Sequence, residues 1–176
     1  IIKLTPDEPL TPGQQYELTT NNTLVRAHNI FVDVENRRLY AVGTRAVAGG
    51  SRNNILIYDL VDPSHPNLIK TFVTKYTHDI YVENNIGFCS HGNDFLLGVY
   101  DFTDVNNIDT LGTSEPTIGY NHSGWKHPYE DVFYVAEEIP IGRSIYIFDI
   151  SDLANPQWSE SHKFKEPLES DPNNRA

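Results

Sequence analysis

Three histidines stand at matching places in the sequence, and they are the residues best suited to do chemistry. His28, His78 and His122 each precede a strand-like run, and they are 50 and then 44 residues apart. Imidazole nitrogens are good ligands for Zn, Cu and Fe, so these side chains would form a metal site if the fold brought them together. The candidate carboxylate ligands or orienting groups are Asp79, Glu137 and Glu138. The alternative is structural, with each histidine capping its strand and hydrogen-bonding a neighbouring unit.

Each histidine begins a repeat, and the third segment of every repeat is the most diagnostic. It reads apolar, aromatic, Asp, apolar, any residue, Asp, and its three copies are Ile57-Tyr58-Asp59-Leu60-Val61-Asp62, Val99-Tyr100-Asp101-Phe102-Thr103-Asp104 and Ile147-Phe148-Asp149-Ile150-Ser151-Asp152. A period of about 45 residues with four short strands is typical of one β-propeller blade. Helical periodicity is absent. We therefore predict an all-β chain, a β-propeller with three full four-stranded blades and part of another.

The repeats also divide the chain. The predicted parts are an outer strand or linker of a preceding blade over residues 1–23, blades over 24–74, 75–117 and 118–165, and a tail or link to the next blade over 166–176. A propeller closes with about four to eight blades, so this is an incomplete arc of a larger one. We expect the remaining blades to come from the same longer chain or from a partner polypeptide. A first residue other than Met points the same way.

Acidic residues fall into two groups. The aspartates that recur in every repeat are predicted to be architectural, closing Asx-turns and strand ends in preference to binding calcium. They are Asp59, Asp101 and Asp149, followed by Asp62, Asp104 and Asp152. The adjacent Glu137 and Glu138 precede a proline, and we expect them in a solvated loop, because a general acid–base pair would need one raised and one lowered pKa side by side. No catalytic residue is assigned.

Aromatic residues around the third histidine offer a second kind of site. Trp125, Tyr120 and Tyr129 could stack on a sugar or a peptide ligand, or they could pack between blades. The single cysteine, Cys89, lies in a strand-like run and is expected to be a small buried apolar residue.

The charge of the chain excludes some partners. With 24 acidic and 13 basic residues the net charge is −11, so nucleic acids and anionic membranes are disfavoured. Residues 89–176 carry −10 of that charge, and a cation or basic partner is expected there. No apolar stretch approaches the roughly 20 residues of a membrane-spanning helix.

Several ordered motifs resemble those of a known family. Ala27-His28-Asn29-Ile30, Thr77-His78-Asp79 and His122-Ser123-Gly124-Trp125 occur in the order found in the secreted choice-of-anchor B proteins, whose units are called LVIVD repeats. The third segments are similar to the core of that repeat. One departure is the tight turn at Asn84-Asn85, where the family tends to carry a longer insertion. The resemblance covers residues 24–160 and implies a longer, exported, propeller-like protein at the cell surface, with no established reaction.

Two functional hypotheses follow. The first is a non-catalytic secreted or surface propeller, an interaction or structural module that binds a protein or a glycan. The second is a metal-binding propeller protein or metalloenzyme in which His28, His78 and His122 hold Zn, Cu or Fe at the mouth of the central channel.

Overall fold

The described part of the chain folds into three four-stranded antiparallel sheets. The computed structural model describes residues 26–45, 51–63, 65–140 and 145–158. The first sheet contains β1 (Asn29–Asp33), β2 (Arg38–Val42), β3 (Asn54–Asp59) and β4 (Asn67–Val73). The second contains β5 (Asp79–Glu83), β6 (Ile86–His91), β7 (Leu96–Asp101) and β8 (Asp109–Thr113). The third contains β9 (Asn121–Lys126), β10 (Val132–Glu137), β11 (Ile145–Asp149) and β12 (Gln157–Trp158).

In each sheet the strands pair in chain order, as a simple meander. A three-residue 3-10 turn at Gly92–Asp94 is the one helical element among the described residues. No helix in that part of the chain has the length and apolar character needed to cross a membrane. The prediction of an all-β chain built from four-stranded units is confirmed, and the sheets fit a propeller-like arrangement. The predicted parts at 1–23 and 166–176 lie outside the described residues.

The first core fills the space between the first and second sheets. Alternate residues of β5 point into it, which buries Ile80 and Val82 while Tyr81 turns to the other face. The buried members are Tyr40, Val42, Ile55, Ile57, Ile80, Val82, Cys89, Tyr100 and Phe102. Cys89 is fully buried, as expected, and burial raises the pKa of its thiol well above the ordinary value. This cysteine therefore acts as a packing residue.

The second core fills the space between the second and third sheets. Along β10 the buried residues alternate, so Phe133 and Val135 face the second sheet while Val132 and Tyr134 do not. Phe88 stacks on Phe133 with ring centroids 4.8 Å apart. The buried members are Phe88, Leu97, Val99, Phe133, Val135, Tyr146, Phe148 and Ile150. The second sheet is therefore covered on both faces by its neighbours.

The recurring aspartates close turns, as the repeat pattern predicted. Asp59, Asp101 and Asp149 each accept a hydrogen bond on Oδ1 from the main-chain N–H two residues further on, at 2.7–2.9 Å. Asp104 and Asp152 do the same at 2.9 and 3.0 Å. The main-chain carbonyl of Asp62 accepts from the N–H of His65, and those of Asp104 and Asp152 close the same four-residue turn. These side chains determine where the third strand of each sheet ends and the fourth begins.

The tight turn predicted at Asn84-Asn85 is also present. Both asparagines have positive φ, 52° and 64°, and this left-handed pair is the geometry of a type I′ hairpin turn. Asn tolerates that conformation better than other residues with side chains. The hairpin joins β5 to β6 and fixes their register, in which Glu83 pairs with Ile86.

Gly112 provides a test of the packing between the second and third sheets. A Cβ at this position would lie 2.4 Å from the carbonyl oxygens of Leu153 and Ala154, which are main-chain atoms and cannot rotate away. Gly112→Ala should lower the free energy of unfolding by about 1–3 kcal/mol, as overpacked sites do. Thr113→Ala, at the exposed neighbouring position, is the matched control and should change it by less than about 0.5 kcal/mol. Chemical denaturation of both variants measures the difference, and equal effects would contradict this packing.

Candidate functional site

The first strands of the three sheets, β1, β5 and β9, lie beside one another. Residues at equivalent repeat positions form rows across them. These rows are a histidine row (His28, His78, His122), a polar row (Asn29, Asp79, Ser123) and an aromatic row (Phe31, Tyr81, Trp125). The side chains in each row lie on neighbouring sheets, so residues about 45 positions apart in sequence come into contact.

The three histidines meet in space. The ring centroids of His28 and His78 are 3.9 Å apart, and those of His78 and His122 are 4.4 Å apart. His28 is exposed, His122 is half-buried, and His78 between them is 6% exposed. The middle imidazole is therefore the one most strongly removed from water.

His78 has a defined tautomer because one of its nitrogens is occupied. Its Nδ1 lies 2.8 Å from the main-chain carbonyl oxygen of His122, and a carbonyl only accepts, so Nδ1 donates. Burial, helped by the nearby His28 and His122, lowers the pKa of His78 to about 4, although the hydrogen bond to the His122 carbonyl opposes the decrease. At neutral pH the ring is uncharged and its lone pair is on Nε2. The predicted hydrogen bond from a histidine to a neighbouring unit is present at this position.

His122 sits at an irregularity in the third sheet. Ser123 pairs with Ala136, but Glu137 pairs with Asn121, so His122 has no partner in the register between β9 and β10. An extra residue of this kind is a β-bulge, which bends the strand and changes the direction of its side chains. The bulge turns the strand at the point where the His122 carbonyl meets His78.

Glu138 completes the site from the strand opposite. Its main-chain N–H donates to the carbonyl of Tyr120 at 3.0 Å, which holds it beside the start of β9. Its Oε2 lies 3.9 Å from Nε2 of His122. The donor atoms of His78, His122 and Glu138 all lie within 4.8 Å of one another, a spacing that suits a bound metal ion. Among the described residues, His28 and Asp79 are not members of that group.

Two of the three carboxylates predicted to assist the histidines, Asp79 and Glu137, are held elsewhere. Asp79 accepts hydrogen bonds from the side-chain amide of Asn29 and from the main-chain N–H of Gly124, which link the three first strands. Burial raises the pKa of Asp79, and those hydrogen bonds oppose the increase. Glu137 is 3% exposed, and its Oε1 accepts from the N–H of Gly119 at 2.7 Å.

The expectation of a solvated Glu137-Glu138 loop is wrong. Glu137 continues the alternation of β10, following Phe133 and Val135 on the face that packs against the second sheet. Glu138 is half-buried next to the histidine row. The carboxylate that joins the histidines is therefore the second of the pair, because the bulge shifts the register at this point.

A fourth histidine, His91, has a buried position that was not predicted from the sequence. It is fully buried at the end of β6, and its Nε2 lies 2.9 Å from the hydroxyl of Tyr100, which in turn lies 2.8 Å from the hydroxyl of Thr74. Burial lowers the pKa of His91 to about 4. The corresponding position in the third sheet is Glu137, so these places share burial of a polar side chain and not a residue type. Because no residue type recurs at this position of the repeats, the sequence pattern does not indicate that it is buried.

The three aromatic candidates do not form one platform, since each contacts a different ring. Tyr120 lies against His78 with centroids 5.3 Å apart, and Tyr129 lies 6.2 Å from His127 and is 91% exposed. Trp125 is 63% exposed and contacts Tyr81 at 4.8 Å. A shallow depression of about 270 Å³ beside Trp125 includes neither of the two tyrosine candidates.

Comparison of sequences gives no assignment. No protein-family model matches this chain, and no curated protein matches its sequence.

Comparison of folds does find similar structures. The chain is similar to a functionally unknown protein from Desulfotomaculum acetoxidans (14% identity, TM-score 0.60, 81% of this chain). It is also similar to a chain of the mitotic checkpoint complex (12%, 0.59, 82%) and to hydrazine synthase of Kuenenia stuttgartiensis (10%, 0.59, 90%). It spans 43%, 40% and 40% of those chains. At these identities the likeness concerns the fold alone, and it supports an all-β chain whose sheets fit a propeller-like arrangement.

The buried histidines predict how stability depends on pH. His78 and His91 have a folded-state pKa of about 4 and an ordinary value of 6.5. Between these values the unfolded chain takes up protons that the folded chain does not, so stability decreases as pH falls from about 6.5 to about 4. Each ring contributes a slope of up to about 1.4 kcal/mol per pH unit.

Removing one of these rings should reduce the slope. In His91→Gln the free energy of unfolding, measured by denaturant titration at several pH values, should decline less steeply on acidification than in the wild type. Gly112→Ala lowers stability without removing an imidazole, so it should keep the wild-type slope. An unchanged slope in His91→Gln would show that His91 takes up its proton in the folded chain.

Proposed function

We propose that this chain contributes three blades and part of a fourth to a larger β-propeller of the LVIVD-repeat, choice-of-anchor B kind. In this proposal the protein is secreted or held at the cell surface, and it acts as a non-catalytic interaction and structural module for a protein or glycan partner. The observation that carries the proposal is the outer face of the third sheet, which repeats the pattern of the faces that pack between sheets.

That repetition can be followed through the strand register. Phe31, Tyr40 and Ile57 stand side by side on the first sheet and pack into the core against the second. The equivalent residues of the second sheet, which pack against the third, are Tyr81, Phe88 and Val99. The equivalent residues of the third sheet are Trp125, Tyr134 and Ile147.

On the third sheet this face is only partly covered. Trp125 is 63% exposed and Ile145, on the same face, is 43% exposed, while Tyr134 and Ile147 are half-buried. Contiguous exposed apolar side chains of this kind are typical of an interface. A further blade is the occupant that the repeat favours, because the same register positions already receive a blade twice. The chain also spans only about two fifths of the chains of similar fold.

Trp125 is therefore assigned to packing between blades. Its contact with Tyr81 continues the aromatic row that begins with Phe31, and both of those side chains lie against a neighbouring sheet. A protein or glycan partner would then bind at an axial end or at the rim, where residues such as Tyr129, 91% exposed, remain accessible. Export and surface attachment rest on the resemblance of the repeat motifs.

The exposed face predicts self-association of the 176-residue chain when it is produced alone. Light scattering should detect oligomers or aggregates, because the apolar face pairs with itself in the absence of a further blade. A double variant, Trp125→Glu with Ile145→Glu, should raise the monomer fraction several-fold. Val61→Glu alters a residue that is 67% exposed in a turn, and this control should leave association unchanged. A monodisperse wild-type monomer would contradict the proposal.

In the full-length protein a charged substitution on this face should be harmful, whereas in the 176-residue chain it should be beneficial. There Ile145→Glu would bury a carboxylate under the next blade, and the free energy of unfolding should fall by about 1–3 kcal/mol. Val61→Glu should have little effect in the same measurement. Equal tolerance of both substitutions would show that no blade covers this face.

A further inference from the structure

We propose that His78, His122 and Glu138 form a site for a divalent transition-metal ion, with Zn²⁺ as the preferred occupant. The site lies at one end of the row of first strands, between the second and third sheets. It differs from the three-histidine set that the sequence suggested, and it is independent of whether the protein is a closed propeller.

The composition of the site suits such an ion. Two imidazole nitrogens and one carboxylate oxygen form a borderline donor set that Zn²⁺, Cu²⁺ and Fe²⁺ accept, whereas Mg²⁺ and Ca²⁺ prefer oxygen alone. The donor atoms lie within 4.8 Å of one another. Around tetrahedral Zn²⁺, donors stand about 3.4 Å apart, so shifts of about 1 Å from small side-chain rotations would bring all three onto one ion.

His78 is prepared for this role by its hydrogen bond. Nδ1 donates to the carbonyl of His122 at 2.8 Å, which fixes the tautomer and leaves the Nε2 lone pair to bind the ion. Histidines that bind metals usually donate their other N–H to a carbonyl or carboxylate in this way. The acceptor here belongs to the second proposed ligand, so the two histidines are positioned together.

His122 and Glu138 are also held in place by the main chain. The β-bulge positions His122, and paired main-chain hydrogen bonds between Tyr120 and the segment Glu138-Ile139 bring the carboxylate alongside. The 3.9 Å between His122 Nε2 and Glu138 Oε2 is too long for a hydrogen bond. A metal ion between those two atoms would bind both of them.

The surroundings favour a cation. The net charge of the chain is −11, and both His122 and Glu138 belong to the half that carries most of it. A negative field raises the local concentration of cations. Three protein ligands leave a fourth tetrahedral position on the ion. The exposed ring of His28 lies next to the site, with its centroid 3.9 Å from that of His78.

The test is a titration of the full-length protein with Zn²⁺ after treatment with a chelator and dialysis. Isothermal calorimetry should find one ion per chain, and the bound ion should raise the melting temperature. His122→Ala and Glu138→Gln should each weaken binding by more than about 100-fold, since even the loss of an outer-shell partner costs about 10–100-fold. His65→Ala, at an exposed turn, is the matched control and should bind like the wild type.

A second measurement distinguishes the loss of a metal ligand from misfolding of the variant. Co²⁺ in place of Zn²⁺ should give the visible absorption of a four-coordinate site in the wild type. Glu138→Gln keeps the shape of the side chain, and it should retain the wild-type circular dichroism while losing that absorption. The proposal is overturned if the wild type binds well below one ion per chain, or if folded Glu138→Gln binds Zn²⁺ as tightly as the wild type.

Discussion

Packing of neighbouring sheets against one another is the constraint on which the rest of this structure depends. A four-stranded meander of this length buries little by itself, and the two cores form only where one sheet covers the next. The contact is made along repeated positions, so the first strands must lie side by side. The histidine, polar and aromatic rows are consequences of that arrangement, because equivalent residues on adjacent first strands necessarily lie next to one another.

The site described here arises where the repeat is broken. The bulge leaves His122 unpaired in the register of the third sheet and puts Glu138, in place of Glu137, beside the histidines. In the second sheet the register between β5 and β6 is regular, and His91 is buried at the place where the third sheet buries Glu137. A single shift in register thus brings a carboxylate to the histidines in the third sheet, whereas the second sheet has no such shift between β5 and β6.

These departures also explain which features could be predicted from the sequence. The sheets and their turns follow from local sequence patterns. Asp101, for example, accepts a hydrogen bond from the main-chain N–H of Thr103, only two residues further on, and this pattern recurs in each repeat. The meeting of the histidines follows from the period. Which of Glu137 and Glu138 lies beside the histidines cannot be predicted in this way, since a one-residue shift in pairing leaves no mark in composition. The burial of His91 could not be predicted because its partner Tyr100, whose hydroxyl also contacts that of Thr74, is brought to it only by the fold.

The aspartate turns have a consequence for the order in which the chain folds. Each turn depends on an N–H two residues away, and each sheet pairs strands that are neighbours in sequence, so a unit can close its hairpins before its neighbour exists. Short-range contacts of this kind form quickly compared with long-range ones. A chain emerging from the ribosome can complete one sheet at a time, and the slower step is the docking of each finished sheet onto the preceding one.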